Sequence, residues 1–128
     1  MKIEDQVCSL ELAKRLKELG VKQNSYFKWT YWSAAPKDNP YAIPLVVRYD
    51  HELTQGERAE VCAAFTVAEL GEMLPAFYMP VRDDEVHDGD AKWLCVEPEP
   101  FDRYYEHTEA DARAKMLIYL IENKLIAL

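Results

Sequence analysis

The segment from residue 109 to residue 128 constrains the fold more than any other part of this chain. Thr108 precedes it, and Asp111 follows Thr108 by three positions, which is the pattern of a helix N-terminus. Apolar residues then recur at intervals of three or four, as one face of a helix requires: Ala110, Ala114, Leu117, Ile121 and Leu125. The segment therefore predicts a long amphipathic helix that packs on a core, and it carries no residues arranged for chemistry.

Two shorter helices are predicted upstream from similar signals. Ser9 precedes the periodic apolar stretch Leu10 to Leu19, and Gly20 follows it, which is typical of a helix that ends in a left-handed residue. Thr66 and Glu69 form a capping-box sequence ahead of a short helix that a proline ends.

Strands are predicted where aromatic and β-branched residues cluster, most clearly in Tyr26 to Trp32. Within residues 57–65 the apolar run Val61 to Phe65 is too short for periodicity to separate strand from helix, and a strand is favoured. Phe101 to His107 is expected to be a connection. The other predicted strands are Ile43 to Tyr49, Ala76 to Val81 and Ala91 to Glu97. Together these elements predict an α+β fold in one domain, 1–128, with a mainly antiparallel sheet of about four to five strands packed by two or three helices.

Charge and cysteine usage narrow the class of protein. The 128 residues carry a net charge of -8, which disfavours nucleic acid as a partner unless basic side chains converge on one face. The cysteines are odd in number and widely spaced, which suits reduced thiols in the cytoplasm rather than a disulfide framework. No signal peptide or membrane-spanning run is expected. The basic residues that a nucleic-acid interface would need are Lys14, Arg15, Lys17 and Lys28.

Three sequence blocks resemble a family of small uncharacterised proteins from phage or prophage-like regions of bacterial genomes. The first runs from Val7 to Leu19 and continues through Gly20 to Gln23, the second from Ala64 to Pro75, and the third from Glu109 to Lys124. The resemblance implies a small cytoplasmic protein of mobile-element origin. It brings no known activity, ligand or catalytic residue. The blocks coincide with the predicted helices, so the resemblance supports the fold and says nothing of the chemistry.

The polar residues of the chain do not predict a metal or cofactor site. A calcium loop that begins in the acidic run from Arg82 to Asp90 would have Val86 at its third position and Cys95 at its last, where oxygen ligands are needed. An exposed hairpin tip is therefore favoured for this run, and opportunistic divalent binding stays open. Zinc is disfavoured because no two of the possible ligands have the spacing of a zinc site: Cys8, Cys62, Cys95, His51, His87 and His107. We predict no catalytic residue. The alternative hypothesis is a small metal-assisted hydrolase, with a site drawn from His87, Asp88, Asp90, Glu106 and His107.

The aromatic strand carries the main functional hypothesis. Alternation predicts one face formed by Tyr26, Lys28, Thr30 and Trp32, with Phe27, Trp29 and Tyr31 on the other. Half-exposed Tyr and Trp favour recognition because they bury a large area with few rotatable bonds, although packing in the core or under a helix is the more common use of aromatic residues in a small domain. The sequence thus favours a non-enzymatic interaction protein, binding another protein or a copy of itself, with predicted anchors at Tyr26, Trp32 and Tyr49.

Overall fold

The computed structural model describes residues 2–32, 43–48, 62–75, 80–82, 93–96 and 103–128, and these residues form four helices and six strands. The helices are α1 (Ile3–Gln6), α2 (Leu10–Glu18), α3 (Val67–Met73) and α4 (Glu109–Glu122). The strands are β1 (Phe27–Trp32), β2 (Ile43–Arg48), β3 (Cys62–Ala63), β4 (Val81–Arg82), β5 (Trp93–Val96) and β6 (Arg103–Glu106). The fold is α+β with antiparallel strand pairing, as the sequence predicts.

The described strands form two three-stranded sheets, so a single sheet of four to five strands is not confirmed. In the first sheet β1 lies between β2 and β3, with Phe27 opposite Arg48 and Trp29 opposite Cys62. In the second sheet β5 lies between β4 and β6, with Trp93 opposite Glu106. Residues 57–61, 76–79 and 83–90 of the predicted elements lie outside the described residues, whereas Cys62–Ala63 is a strand, as favoured.

Strand β6 corrects the prediction that Phe101 to His107 is a connection. Arg103–Glu106 pairs antiparallel with β5 along the whole of its length. The strand has only four residues and both begins and ends with a charged residue, so its sequence shows no clear alternation of polar and apolar side chains. Its strand conformation comes from hydrogen bonding to β5, which is a non-local cause.

Helix α2 ends as its sequence predicts. Gly20 has a φ of 92°, and its N–H donates to Lys17 O at 3.1 Å while the Val21 N–H donates to Leu16 O at 3.1 Å. These two bonds are a Schellman motif, which needs a left-handed residue at the position of Gly20. Ser9 stands at the N-cap, but its side chain forms no capping bond, and its backbone N–H instead donates to Asp111 Oδ1 at 2.7 Å.

Helix α4 is shorter than predicted and is buried over more of its circumference. It ends at Glu122 because Lys124 adopts a φ of 57° and the Leu125 N–H donates to Leu120 O at 2.9 Å, a second Schellman motif. Leu125 therefore leaves the predicted apolar stripe and is 51% exposed. Because α4 contacts α1, α2 and α3 as well as β5 and β6, a second row of side chains is buried beside the predicted one: Ala112, Met116 and Leu120.

The core joins the first sheet to the helices. Among the described residues, its largest fully buried side chains are Phe65, Leu16, Leu70, Met116, Leu117 and Leu120. Trp29 of β1 is buried, and its indole N–H donates to Cys8 O at 3.0 Å, which ties the centre of the sheet to the segment between α1 and α2. This packing places the start of β1, and with it Tyr26, beside the N-terminus of α3.

Candidate functional site

A groove of about 980 Å³ runs along the surface where four parts of the chain meet. These parts are the end of α2, the segment that leads into β1, helix α3, and the residues that follow α4. We call it the Tyr26 groove, and its lining includes Val21, Lys22, Ser25, Tyr26, Phe65, Thr66, Glu69, Glu72, Met73, Leu117, Ile126 and Leu128.

The Tyr26 groove is lined partly by core residues and partly by exposed apolar side chains. Phe65 and Leu117 are both 1% exposed and belong to the core. Among the described residues, the large apolar side chains that are exposed are Tyr26 (76%), Leu128 (67%) and Leu125 (51%). Tyr26 and Leu128 line the groove, and Leu125 lies next to Ile126, which also lines it. Of these three exposed side chains, Tyr26 and Leu128 therefore lie at one groove, and exposed apolar side chains that lie together mark interaction surfaces.

Glu69 fixes the backbone at Tyr26. Its Oε1 accepts hydrogen bonds from the Thr66 N–H at 2.9 Å and from the Ser25 hydroxyl at 2.9 Å, and its Oε2 accepts the Tyr26 N–H at 3.3 Å. The Thr66 side chain accepts the Glu69 N–H at 3.2 Å in return, which completes the predicted capping box. The Glu69 carboxylate therefore both caps α3 and binds the backbone of Tyr26, the residue before β1. The exposed Tyr26 side chain is thus attached to a backbone that is held by a hydrogen bond.

The other predicted anchors are only partly placed. Trp32 is the last residue of β1, where it pairs with Ile43, and its side chain lies outside the described part of the structure. Tyr49 lies outside the described residues altogether. Their roles stay predictions.

The predicted exposed face of the aromatic strand is wrong at its centre. Lys28 is 6% exposed and Thr30 is 0% exposed, although alternation puts both on the face assigned to solvent. Trp29 between them is also buried. Three consecutive residues at the centre of this strand are thus buried, so a period of two does not separate inside from outside there. Lys28 is consequently absent from any exposed basic face, which removes one of the four residues that the nucleic-acid alternative needs.

The residues of the alternative hydrolase site are not brought together within the described residues. The Glu106 carboxylate forms an ion pair with Lys115. His107 is exposed and lines a separate groove of about 910 Å³ with Trp93, where the nearby Glu109 is bound by Arg113 at 2.8 Å. His87, Asp88 and Asp90 lie outside the described residues. In the part of the chain that is described, no group of three His, Cys, Asp or Glu residues is placed to hold a metal ion.

The two described thiols are buried and poorly suited to be nucleophiles. Burial raises the pKa of Cys8 to about 12, and burial also raises the pKa of Cys62. A thiol with a raised pKa stays protonated near neutrality and reacts slowly. Cys8 and Cys62 are core residues, and the side chain of Cys95 lies outside the description.

Sequence reasoning missed the residues that build the groove around Tyr26. The capping-box pattern identifies Glu69 as a helix cap, but no sequence signal shows that its carboxylate also reaches Tyr26, 43 positions earlier. The approach of Ile126 and Leu128 to the same groove depends on the early end of α4, which the apolar periodicity hides.

Comparison with known proteins finds no matching family model, no matching curated protein and no matching solved structure. The resemblance to phage-associated proteins therefore rests on the three sequence blocks alone. None of the helices in the described ranges is long and apolar enough to cross a membrane.

Proposed function

We propose that this chain is a non-enzymatic protein-interaction module of phage-accessory type, and that it binds a partner protein through the Tyr26 groove. The observation that carries the proposal is the grouping of exposed apolar side chains around a groove at which Glu69 holds Tyr26. Tyrosine is favoured at the centres of interfaces because it buries a large area at a small cost in rotamer freedom.

The hydrogen bonds made by the polar side chains of the site favour binding over catalysis. The Ser25 hydroxyl and the Glu69 carboxylate bind each other and the ends of neighbouring elements, so their polar atoms serve the scaffold. A surface held by such hydrogen bonds suits the docking of side chains, since little conformational freedom remains to be lost when a partner binds.

Location and origin belong to the same proposal. The three dispersed cysteines support a reducing compartment, for which we propose the cytoplasm. The three sequence blocks support the phage-accessory origin. Trp32 and Tyr49 stay in the proposal as further anchors near β1 and β2.

Site-specific photo-crosslinking in host cells tests this proposal. A photoreactive phenylalanine analogue at Tyr26 is expected to trap one discrete protein, identified by mass spectrometry, and the same analogue at Glu11 of α2 serves as the control. The product should then form a complex with the purified chain. The proposal is contradicted if position 26 yields only the products seen from position 11.

A further inference from the structure

We infer that residues 126–128, which follow α4, occupy part of the Tyr26 groove within the chain itself, and that aliphatic side chains of the partner displace them when it binds. The inference rests on the proposed function and names the chemistry that the partner presents at the groove. It follows from where these residues lie, how few interactions hold them and how the segment begins.

Residues 126–128 reach the groove through their side chains. All three of them line it, and none belongs to a helix or a strand. Ile126 is half-buried and packs against the core. Leu128 Cδ1 lies 3.6 Å from the position that a Cβ at Gly20 would take, so this side chain rests beside the turn that ends α2. Aliphatic side chains of the chain itself therefore fill part of the groove.

Few interactions hold this segment in place. Among the described residues, no backbone N–H or C=O group of residues 126–128 takes part in a hydrogen bond. The bond from the Leu125 N–H to Leu120 O is the last backbone bond of the described chain after α4. Leu128 is 67% exposed, so its contacts cover only a minor part of its surface. Segments with few backbone hydrogen bonds and little buried apolar surface open at a small cost in free energy.

The segment also begins at a strained residue. Lys124 has a φ of 57°, a left-handed conformation that a residue with a Cβ adopts at a cost. When the residues after Lys124 leave the groove, its backbone is free to return to a negative φ. Strain of this kind persists only while the surrounding structure enforces it, so it favours displacement of the segment.

The groove selects its occupant by apolar contact and not by charge. Its exposed charged side chains, Lys22 and Glu72, balance each other, and Glu69 is bound in the cap of α3. A partner segment that carries aliphatic side chains can replace the contacts of Ile126 and Leu128 without leaving apolar surface uncovered. Insertion of apolar anchors into a groove is a common way for one polypeptide to bind another.

The direction of the change in affinity tests the inference. The probe is the purified protein that the photoreactive analogue at position 26 traps, and isothermal titration calorimetry measures its dissociation constant. If residues 126–128 compete with this protein, weaker packing of the segment raises the binding-competent fraction of the chain, and Leu128→Ser should lower the dissociation constant at least about threefold. Leu125 is also exposed but does not line the groove, so Leu125→Ser, the matched control, should change the constant less than about 1.5-fold.

A second variant should act in the opposite direction. Lys124→Gly removes the strain from the segment in its place in the groove and so stabilises the occupied state. The dissociation constant should therefore rise by up to about fivefold. Circular dichroism and thermal unfolding of all three variants check that the fold is kept.

Methyl relaxation dispersion on the chain alone measures the displacement without a partner. The Ile126 δ1 methyl should show exchange on the microsecond-to-millisecond timescale, whereas Ile118 of α4, the control, should show none. Leu128→Ser should raise the population of the minor state at least about threefold, in step with the tighter binding.

The outcomes separate the inference from the proposed function. A higher dissociation constant for Leu128→Ser than for Leu125→Ser means that the partner contacts the segment directly, which overturns the inference and leaves the proposed function standing. Equal constants for these two variants, or an Ile126 methyl that exchanges no more than Ile118, also overturn it. If position 26 traps no discrete protein, the proposed function fails, and the inference fails with it.

Discussion

Glu69→Ala is the most informative stability variant, because one carboxylate connects the cap of α3 to Tyr26, the residue before β1. The substitution removes the bond to the Thr66 N–H, which closes the capping box, and the bond to the Ser25 hydroxyl. It also removes the 3.3 Å bond to the Tyr26 N–H, which is exposed to solvent. Glu72 of the same helix is exposed and makes no such bonds, so Glu72→Ala is the matched control.

The expected loss in the free energy of unfolding depends on how far each hydrogen bond is buried. A capping side-chain bond contributes about 1 kcal/mol. The half-buried bond to Ser25 contributes about 1 kcal/mol more, and the solvent-exposed bond to Tyr26 adds little. Glu69→Ala should therefore lower the free energy of unfolding by about 2 kcal/mol. With an unfolding entropy of about 2.1 cal/mol/K per residue over 128 residues, this corresponds to a decrease in Tm of about 7 °C.

Thermal unfolding followed by circular dichroism, together with urea unfolding, measures these effects. Glu72→Ala should change the free energy of unfolding by less than about 0.5 kcal/mol. A double-mutant cycle with Thr66→Ala should show a coupling of about 0.5–1 kcal/mol, because the two side chains cap the helix as a unit. If Glu69→Ala and Glu72→Ala lie within about 0.5 kcal/mol of each other, the carboxylate does not hold the two elements together and the reasoning is refuted.

Three further predictions concern the ends of helices, a thiol and a carboxyl group. Both Gly20 and Lys124 have positive φ, so Gly20→Ala should lower the free energy of unfolding by about 1 kcal/mol and Lys124→Gly should raise it by up to about 1 kcal/mol. Urea unfolding measures both changes, and a lower free energy of unfolding for Lys124→Gly would contradict the account. Cys8 should resist Ellman's reagent in the native protein because burial raises its pKa to about 12, and peptide mapping that finds rapid modification of native Cys8 would refute this. Burial raises the pKa of Asp111 above 3.8, so folding favours the protonated carboxyl. The stability of the protein relative to Asp111→Asn should therefore fall as the pH rises from 3.8 through the folded pKa, and then level off. Urea unfolding midpoints across this pH range measure the difference, and a relative stability that rises with pH would contradict the prediction.

The helix signals are readable from the sequence because caps act over a few residues. The Gly20 termination and the Thr66–Glu69 capping box are both confirmed. Each depends on hydrogen bonds within one turn, so the sequence pattern and the structure report the same interaction. The end of α4 escapes the same reasoning because Lys124, unlike glycine, gives no sign of a left-handed conformation.

The sheets are less predictable because their burial depends on partners that are distant in sequence. Alternation along β1 correctly buries Trp29, but it does not predict that Lys28 and Thr30 are buried as well. Strand β6 is likewise formed by pairing with β5, to which no local pattern points. The topology of the fold determines which residues meet across a sheet, and a pattern within a few consecutive residues does not show that topology.

The candidate site lies between these two cases. The exposure of Tyr26 agrees with its predicted place on a solvent-facing surface, but the groove around it needs α3 and the residues after α4 to meet at the start of β1. The hydrogen bond between Glu69 and Tyr26 joins residues 43 positions apart. The sequence marks Glu69 as a helix-capping residue but gives no sign of its contact with Tyr26. The residue type of Tyr26 thus indicates recognition, whereas the groove around it forms only when the distant segments of the fold come together.

The affinity of the crosslinked partner, once purified, for the Tyr26→Ala variant tests the central claim most directly. Isothermal titration calorimetry compares this variant with the unmodified chain and with Glu11→Ala, an exposed position of α2 outside the groove. We predict a loss of at least about tenfold for Tyr26→Ala and less than about twofold for Glu11→Ala, with unchanged thermal unfolding for both. Equal affinities for all three proteins would contradict the assignment of the Tyr26 groove as the binding surface.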